Sequence, residues 1–176
     1  QALIKAFIIL AGKDQNLHLM LVNSLYPVAE SENELHQCNV LIAQANLSHR
    51  VSVFSDYLAD EESQALLQKA DLIIYPYQKT QESSSAAVRM GLAARRPIAV
   101  TPLSIFDDVK DVVHYLPGTS PEEIAQGISM LINNQQLLNE KEANATAWVN
   151  ARQWPLLSLR LLNIMDGLTN EEKVIH

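Results

Sequence analysis

The 176-residue chain lacks a disulfide framework, because Cys38 is its only cysteine and one cysteine cannot form an internal disulfide. Small secreted domains usually depend on several disulfides, so this class is excluded. No apolar run reaches the roughly 18 residues of a membrane-spanning helix, and no signal peptide is visible. We therefore predict a cytoplasmic protein in which Cys38 is a small, core-facing helical residue.

The chain also lacks an excess of positive charge. Its 13 Lys and Arg residues are outnumbered by 20 Asp and Glu residues, which gives a formal net charge of −7. An acidic chain has no overall field that attracts nucleic acid, so no nucleic-acid partner is predicted. The histidines are scattered without the spacing of metal ligands, so no metal site is predicted. His114 is expected at the surface.

The motifs that most often bind nucleotides or carry a nucleophile are missing as well. There is no Gly-x-Ser-x-Gly elbow, no phosphate-binding Gly-Lys-Ser/Thr loop and no Gly-x-Gly-x-x-Gly. A phosphate group would therefore have to be bound by other means, such as the free N–H groups at the start of a helix.

What the chain does contain is a regular alternation of strand and helix patterns. Strands are predicted at 17–22, 50–57, 71–77, 97–101 and 113–117. Helices are predicted at 2–12, 31–47, 60–70, 83–95 and 120–132, followed by a helical tail over 134–168. This order predicts a single α/β domain over 1–176, a Rossmann-like, doubly wound and mostly parallel sheet with helices on both faces.

In such a sheet, ligands bind beyond the carboxyl ends of the strands. The segments at those ends are Asn23-Ser24, Ser55-Asp56, Pro76 to Ser85 and Thr101-Pro102. The third segment contains one acid, Glu82, followed by three serines at the predicted start of a helix. Hydroxyls and free N–H groups there suit a phosphate or pyrophosphate, and Lys79 in the same loop adds positive charge.

Two plainer interpretations stay open for this edge of the sheet. In the first interpretation, Glu82 or Ser83 simply caps the following helix, since acids and serines are common at helix starts. The acidic segment "IFDDVKD" (105–111) is interpreted as a solvated loop, with a ligand-facing or acceptor-facing role as the alternative.

The stretches "ADLIIYP" and "ESSSAAVRMGLAARRPIAV" carry a more specific signal. Their order resembles the C-terminal half of glycosyltransferase family 4, retaining enzymes of the GT-B architecture. The resemblance covers about residues 2–140 and is most specific at 70–101. It implies a domain that binds a nucleotide-sugar donor, for transfer of the sugar to a glycan or lipid-linked acceptor, without a cofactor or a metal ion. Peripheral membrane association of the parent enzyme is a further expectation.

The resemblance also implies the site residues. Glu82 matches the first of two family acids separated by seven residues, and would contact the donor sugar as the catalytic residue. Met90 stands at the second, which usually holds the nucleotide ribose, and a methionine cannot accept those hydrogen bonds. Arg95 replaces a usual glycine. The other residues predicted to bind the donor are Asn23, Gln78, Lys79, Thr80, Ser83, Ser84, Ser85, Arg89 and Thr101.

The chain opens in a helical pattern, so we expect a fragment of a longer protein. The family domain begins with a strand and a loop that supply a basic pair for the diphosphate. That strand would be central, so we expect an exposed or swapped sheet centre. The acceptor-binding N-terminal domain is absent too, and the isolated chain should be inactive. The alternative is a noncatalytic, degenerate domain of the same fold, which Met90 would then indicate.

Overall fold

The computed structural model describes residues 1–172, with side chains as far as residue 168. Its helices are α1 (Ala2–Ala11), α2 (Ala29–Gln44), α3 (Asp60–Gln68), α4 (Ala86–Ala93), α5 (Pro121–Ile132), α6 (Gln135–Asn150) and α7 (Trp154–Glu172). Its strands are β1 (Leu19–Val22), β2 (Val51–Phe54), β3 (Ile73–Tyr75), β4 (Ile98–Val100) and β5 (His114–Tyr115). The predicted alternation is confirmed in this range. The last four residues of the predicted domain, 173–176, lie outside the described residues.

Every strand pair among the described residues is parallel, as the prediction required. β1 pairs with β2 in one sheet, and β3, β4 and β5 form a second sheet in that order. Within residues 1–172 the two sheets are not hydrogen-bonded to each other. The structure thus shows the Rossmann-like α/β class, with its parallel strands divided between two sheets.

Helix α1 joins the two sheets by packing against both of them. Its residues Ile4 and Phe7 belong to the apolar cluster of β1, β2 and α2, whereas Ala6 and Leu10 pack with β4 and α5. Apolar side chains at neighbouring helical positions therefore serve two separate cores, because successive residues point about 100° apart on a helix.

The β3–β4–β5 sheet is covered on both faces. Ile98 and Val100 of β4 point into a cluster with α4, and Ala99 between them points into the cluster of α1 and α5. This alternation is the period of two that a strand imposes on its side chains. All three β4 residues are buried, which explains why β4 is apolar without alternating.

The acidic segment after β4 is not the solvated loop that its sequence indicated. Ser104–Val109 form a 3₁₀ helix, and Ile105, Phe106 and Val109 are buried in the core next to α4. The prediction was wrong for these apolar residues because the helical turn places them on one side and the acids on the other. Cys38, in contrast, is buried as predicted.

His114 in β5 corrects a second expectation. It is half-buried rather than at the surface, and its Nε2 atom has no hydrogen-bond partner among the described residues. Burial, with a smaller contribution from Lys141, lowers the pKa of the His114 imidazole below its usual value.

Candidate functional site at the start of α4

The carboxyl ends of β3 and β4 are tied together by Thr101. Its hydroxyl donates to the carbonyl of Tyr77 at 2.6 Å, and its N–H donates to the carbonyl of Tyr75 at 3.3 Å. Thr101 is fully buried. Its side chain therefore fixes the path of the loop that leaves β3, and is itself shielded from solvent.

Helix α4 is capped by the last of the three serines. The Oγ of Ser85 accepts a hydrogen bond from the N–H of Val88 at 3.2 Å and lies 3.2 Å from the hydroxyl of Tyr77. Ser85 is only 2% exposed. The helix begins at Ala86, three residues later than predicted, and Ser85 has the capping role that the alternative interpretation gave to Glu82 or Ser83.

The residues just before this cap are exposed. Glu82, Ser83 and Ser84 all face solvent, and within residues 1–172 their side chains make no hydrogen bond or ion pair. The backbone N–H of Glu82 donates to the Thr80 hydroxyl at 3.1 Å, which folds the loop into a turn. One carboxylate and two hydroxyls are thus left unused beside the positive end of α4.

The other predicted residues are arranged around this loop. The Gln78 side-chain amide donates to the carbonyl of Thr119 at 3.1 Å and so connects the loop to the approach of α5. Lys79 is exposed in the same loop. Asn23 lies apart from these residues in sequence and sheet: it follows β1, and its N–H donates to the carbonyl of Phe54 at 3.0 Å.

The guanidinium of Arg89 is held from two sides. One amino group donates to the carbonyl of Ser85 at 2.8 Å, and the other forms an ion pair with the carboxylate of Asp108. Sequence reasoning missed Asp108 as its partner, although the residue lies in the acidic segment that was considered. The positive charge of Arg89 is therefore balanced within the protein.

Helix α4 lies close to β3 because of Tyr75 and Gly91. The hydroxyl of Tyr75 donates to the carbonyl of Ala87 at 2.6 Å, and a Cβ atom on Gly91 would come within 2.6 Å of that hydroxyl oxygen. Burial, reinforced by Tyr77, raises the pKa of Tyr75. The phenol therefore stays neutral and keeps its role as a donor that positions the helix.

A groove of about 660 Å³ runs between α3 and α4. It is lined by Asp60, Gln64, Ala86, Arg89, Met90 and Ala93. The side-chain amide of Gln64 donates to the carbonyl of Met90 at 2.8 Å and connects the two helices. Sequence reasoning missed Asp60 and Gln64. The available signal was that Asp60 opens the helix that follows β2, close to the carboxyl end of that strand.

No group of three or more His, Cys, Asp or Glu residues in the part of the chain that the structure describes is placed to hold a metal ion. None of the described helices is long and apolar enough to span a membrane.

Comparisons with known proteins identify the fold. No family model and no curated protein matches the chain, but solved structures do. The C-terminal domain of a glycosyl transferase group 1 family protein, LpcC from Francisella tularensis, has a TM-score of 0.73 at 15% identity, covering 86% of this chain and 77% of that one. The sucrose-phosphate synthase of Thermosynechococcus elongatus has a TM-score of 0.71 at 15% identity, covering 97% of this chain and 43% of that one.

A third similar structure is Anabaena HepE in complex with UDP and glucose, with a TM-score of 0.72 and 15% identity over 96% of this chain and 44% of HepE. This chain thus spans less than half the length of HepE and of the sucrose-phosphate synthase. Together these neighbours show that the chain has the Rossmann-like fold of the C-terminal domain of GT-B glycosyltransferases.

Proposed function

We propose that the chain is the donor-binding part of a glycosyltransferase, and that the nucleotide-sugar binds at the start of α4. The observation that carries the proposal is the unused set of polar groups there: Glu82, Ser83 and Ser84, exposed at the carboxyl edge of the sheet. The similarity in fold to HepE, which was solved with UDP-glucose, supports the choice of ligand.

The start of α4 suits the diphosphate of such a donor. Its free N–H groups, together with the hydroxyls of Ser83 and Ser84, provide donors and a partial positive charge. Charge develops on the diphosphate as the sugar leaves, and preorganised donors stabilise that charge without reorganising. Lys79, which is exposed in the same loop, adds a positive charge. This chemistry requires neither a metal ion nor another cofactor.

Glu82 is proposed to orient the donor sugar. Its carboxylate is exposed three residues before the Ser85 cap, outside the helix and close in sequence to the proposed diphosphate site. An ionised carboxylate accepts hydrogen bonds from sugar hydroxyls. In the finer form of the proposal the enzyme is a retaining hexosyltransferase of glycosyltransferase family 4, located in the cytoplasm.

The acceptor is assigned to another part of the protein. Ligands of two-domain enzymes bind in the cleft between domains, and this chain covers 43% of the sucrose-phosphate synthase and 44% of HepE. We therefore propose a glycan or lipid-linked acceptor, bound by a second domain, with membrane association of the parent enzyme through its acceptor. The 176 residues alone are expected to bind donor but not to transfer sugar.

Calorimetric titration of the complete polypeptide that carries this sequence tests the proposal, with UDP, GDP and the corresponding nucleotide-sugars as ligands. Glu82→Ala should remove the additional affinity that the sugar provides and leave the affinity for the free nucleotide nearly unchanged. Glu122→Ala, which removes an exposed acid at the start of α5, is the matched control and should have no effect. Absence of binding by every ligand at millimolar concentration contradicts the proposal.

Met90 favours a second candidate, a noncatalytic binding domain of the same fold. Its side chain is 36% exposed in the α3–α4 groove, where the resemblance places an acid that holds the ribose. The two candidates differ in turnover. Cleavage of a bound nucleotide-sugar by the complete polypeptide, in which the sugar passes to an added acceptor or to water and the nucleotide is released, indicates an enzyme, whereas binding without cleavage under these conditions indicates the noncatalytic domain.

A further inference from the structure

The groove between α3 and α4 is continuous with the site at the start of α4. Asp60 and Ala86, the first residues of the two helices, both line the groove, so one end of the groove lies beside the loop that contains Ser83 and Ser84. Further along the two helices, Met90 and Ala93 provide an apolar surface. A ligand whose diphosphate rests on the start of α4 would thus place its remaining part in this groove.

Asp60 is the acid of α3 that remains available to a ligand. The first turn of α3 contains Asp60, Glu61 and Glu62. Glu62 is used as part of the helix start, since its carboxylate accepts a hydrogen bond from the N–H of Ala59 at 3.3 Å. Of the three, only Asp60 lines the groove, and it is exposed.

We propose that this groove binds the nucleoside of the donor and that Asp60 accepts hydrogen bonds from the ribose hydroxyls. The carboxylate of Asp60 comes from α3, on the other side of the groove from Met90. It therefore supplies from α3 the acid that α4 lacks at position 90. A carboxylate has two oxygens and can accept from both hydroxyls of a vicinal diol. This inference rests on the proposed function.

A hydrogen-bonding contact between Asp60 and the ribose can be distinguished from the general electrostatic effect of its negative charge. A carboxylate near a diphosphate repels it, so neutralising an acid that makes no contact with the ligand should strengthen binding slightly. Neutralising an acid that accepts ribose hydrogen bonds should weaken binding, because hydrogen bonds to a charged group are lost. The two roles therefore predict opposite signs for the same substitution.

The test is calorimetric titration of the complete polypeptide with UDP, or with GDP or ADP if either binds more tightly, and with the 2′,3′-dideoxy analogue of that nucleotide. Asp60→Asn should weaken binding of the ribonucleotide roughly ten-fold or more and leave the affinity for the dideoxy analogue unchanged or slightly higher. Glu61→Gln, the neighbouring acid outside the groove, is the matched control and should not weaken either. Adding Met90→Glu to Asp60→Asn should recover most of the lost affinity.

Each other outcome overturns the inference. If Asp60→Asn leaves ribonucleotide binding unchanged or stronger, Asp60 makes no contact with the ribose, although the proposed function stands. Equal weakening of both nucleotides assigns Asp60 a structural role. If the unaltered protein binds no nucleotide at all, both the inference and the proposed function are wrong.

Discussion

The starts of α4 and α5 both contain serine and glutamate but differ in the structure. At α5, Ser120 accepts from the N–H of Glu123 at 3.3 Å, and the carboxylate of Glu123 accepts from the N–H and the hydroxyl of Ser120 at 3.0 and 2.7 Å. These bonds lower the pKa of Glu123. At α4, the residue three positions after the Ser85 cap is Val88, so no carboxylate returns to the cap.

The difference shows what makes a helix start available to a ligand. A closed capping box uses its own serine and acid to satisfy the helix N–H groups, and at α5 these side chains are occupied by each other. At α4 one buried serine does the capping, and the acid and two serines before it stay exposed. We attribute ligand binding to α4 for this reason, and the following substitutions test the contrast.

The largest effect on stability is expected where both helices are anchored to their strands. A Cβ atom would come within 2.6 Å of the Tyr75 hydroxyl at Gly91 and within 2.6 Å of Leu116 Cδ2 at Gly127. Gly91→Ala and Gly127→Ala should each reduce the free energy of unfolding by about 1–3 kcal/mol, because buried neighbours must move. Urea denaturation measures the change.

Gly167→Ala in α7 is the matched control for this pair. A Cβ atom at Gly167 meets no atom within 4 Å, so alanine should raise the free energy of unfolding by up to about 1 kcal/mol through helix propensity. Equal effects at all three glycines would show that propensity alone matters and that α4 and α5 are not held by close packing.

The next effect concerns the two caps. Ser85→Ala and Ser120→Ala should each reduce the free energy of unfolding by roughly 1–2 kcal/mol, as loss of a helix cap does. Ser85→Ala also removes the contact with the Tyr77 hydroxyl. Urea denaturation checks the values, and Ser120→Thr, which keeps a capping hydroxyl, should retain most of the stability. A negligible effect at position 85 would remove Ser85 as the cap.

The ends of the two helices differ as well. Arg95, after α4, has a φ of 57°, in the left-handed region that favours glycine. Arg95→Gly should therefore raise the free energy of unfolding by about 0.5 kcal/mol, the gain from relieved strain less the entropic cost of glycine. The two residues that follow α5, Asn133 and Asn134, have φ values of −91° and −124°, so Asn133→Gly should lower the free energy of unfolding. Thermal denaturation that shows the opposite order contradicts this contrast.

The smallest effect on stability is expected at the exposed serines. Ser83→Ala and Ser84→Ala should change the free energy of unfolding by no more than about 0.5 kcal/mol, because neither side chain has a hydrogen-bond partner within residues 1–172. The double substitution should nevertheless weaken binding of nucleoside diphosphates in a calorimetric titration. A stability loss comparable with that of Ser85→Ala would mean that these serines support the fold instead of a ligand.

Much of the fold could be predicted because its signals are local. The apolar strand 71–77, the small residues of α4 and the Ser-Pro-Glu-Glu start of α5 each point to one structure, and their alternation indicates a parallel sheet. The 3₁₀ helix after β4 was missed since its acids dominated the pattern, while Phe106 and its apolar neighbours determine its place.

The details of the site depend on contacts that sequence does not show. Three consecutive serines have equal capping propensity, and only Tyr77, which approaches from the strand end, distinguishes Ser85 from the other two. The ion pair of Arg89 with Asp108 and the groove beside Asp60 likewise bring together residues from separate elements. The roles of Glu82 and of the other donor-site residues stay predictions.

The most direct test of the donor site is an NMR titration of the protein with UDP and GDP, in which the backbone amide signals are followed. We expect the largest chemical-shift changes at the amides of residues 83–88, at the start of α4, and no comparable change at residues 120–124, at the start of α5. Equal changes at both helix starts, or changes at neither at millimolar nucleotide, would contradict the assignment of the donor site to α4.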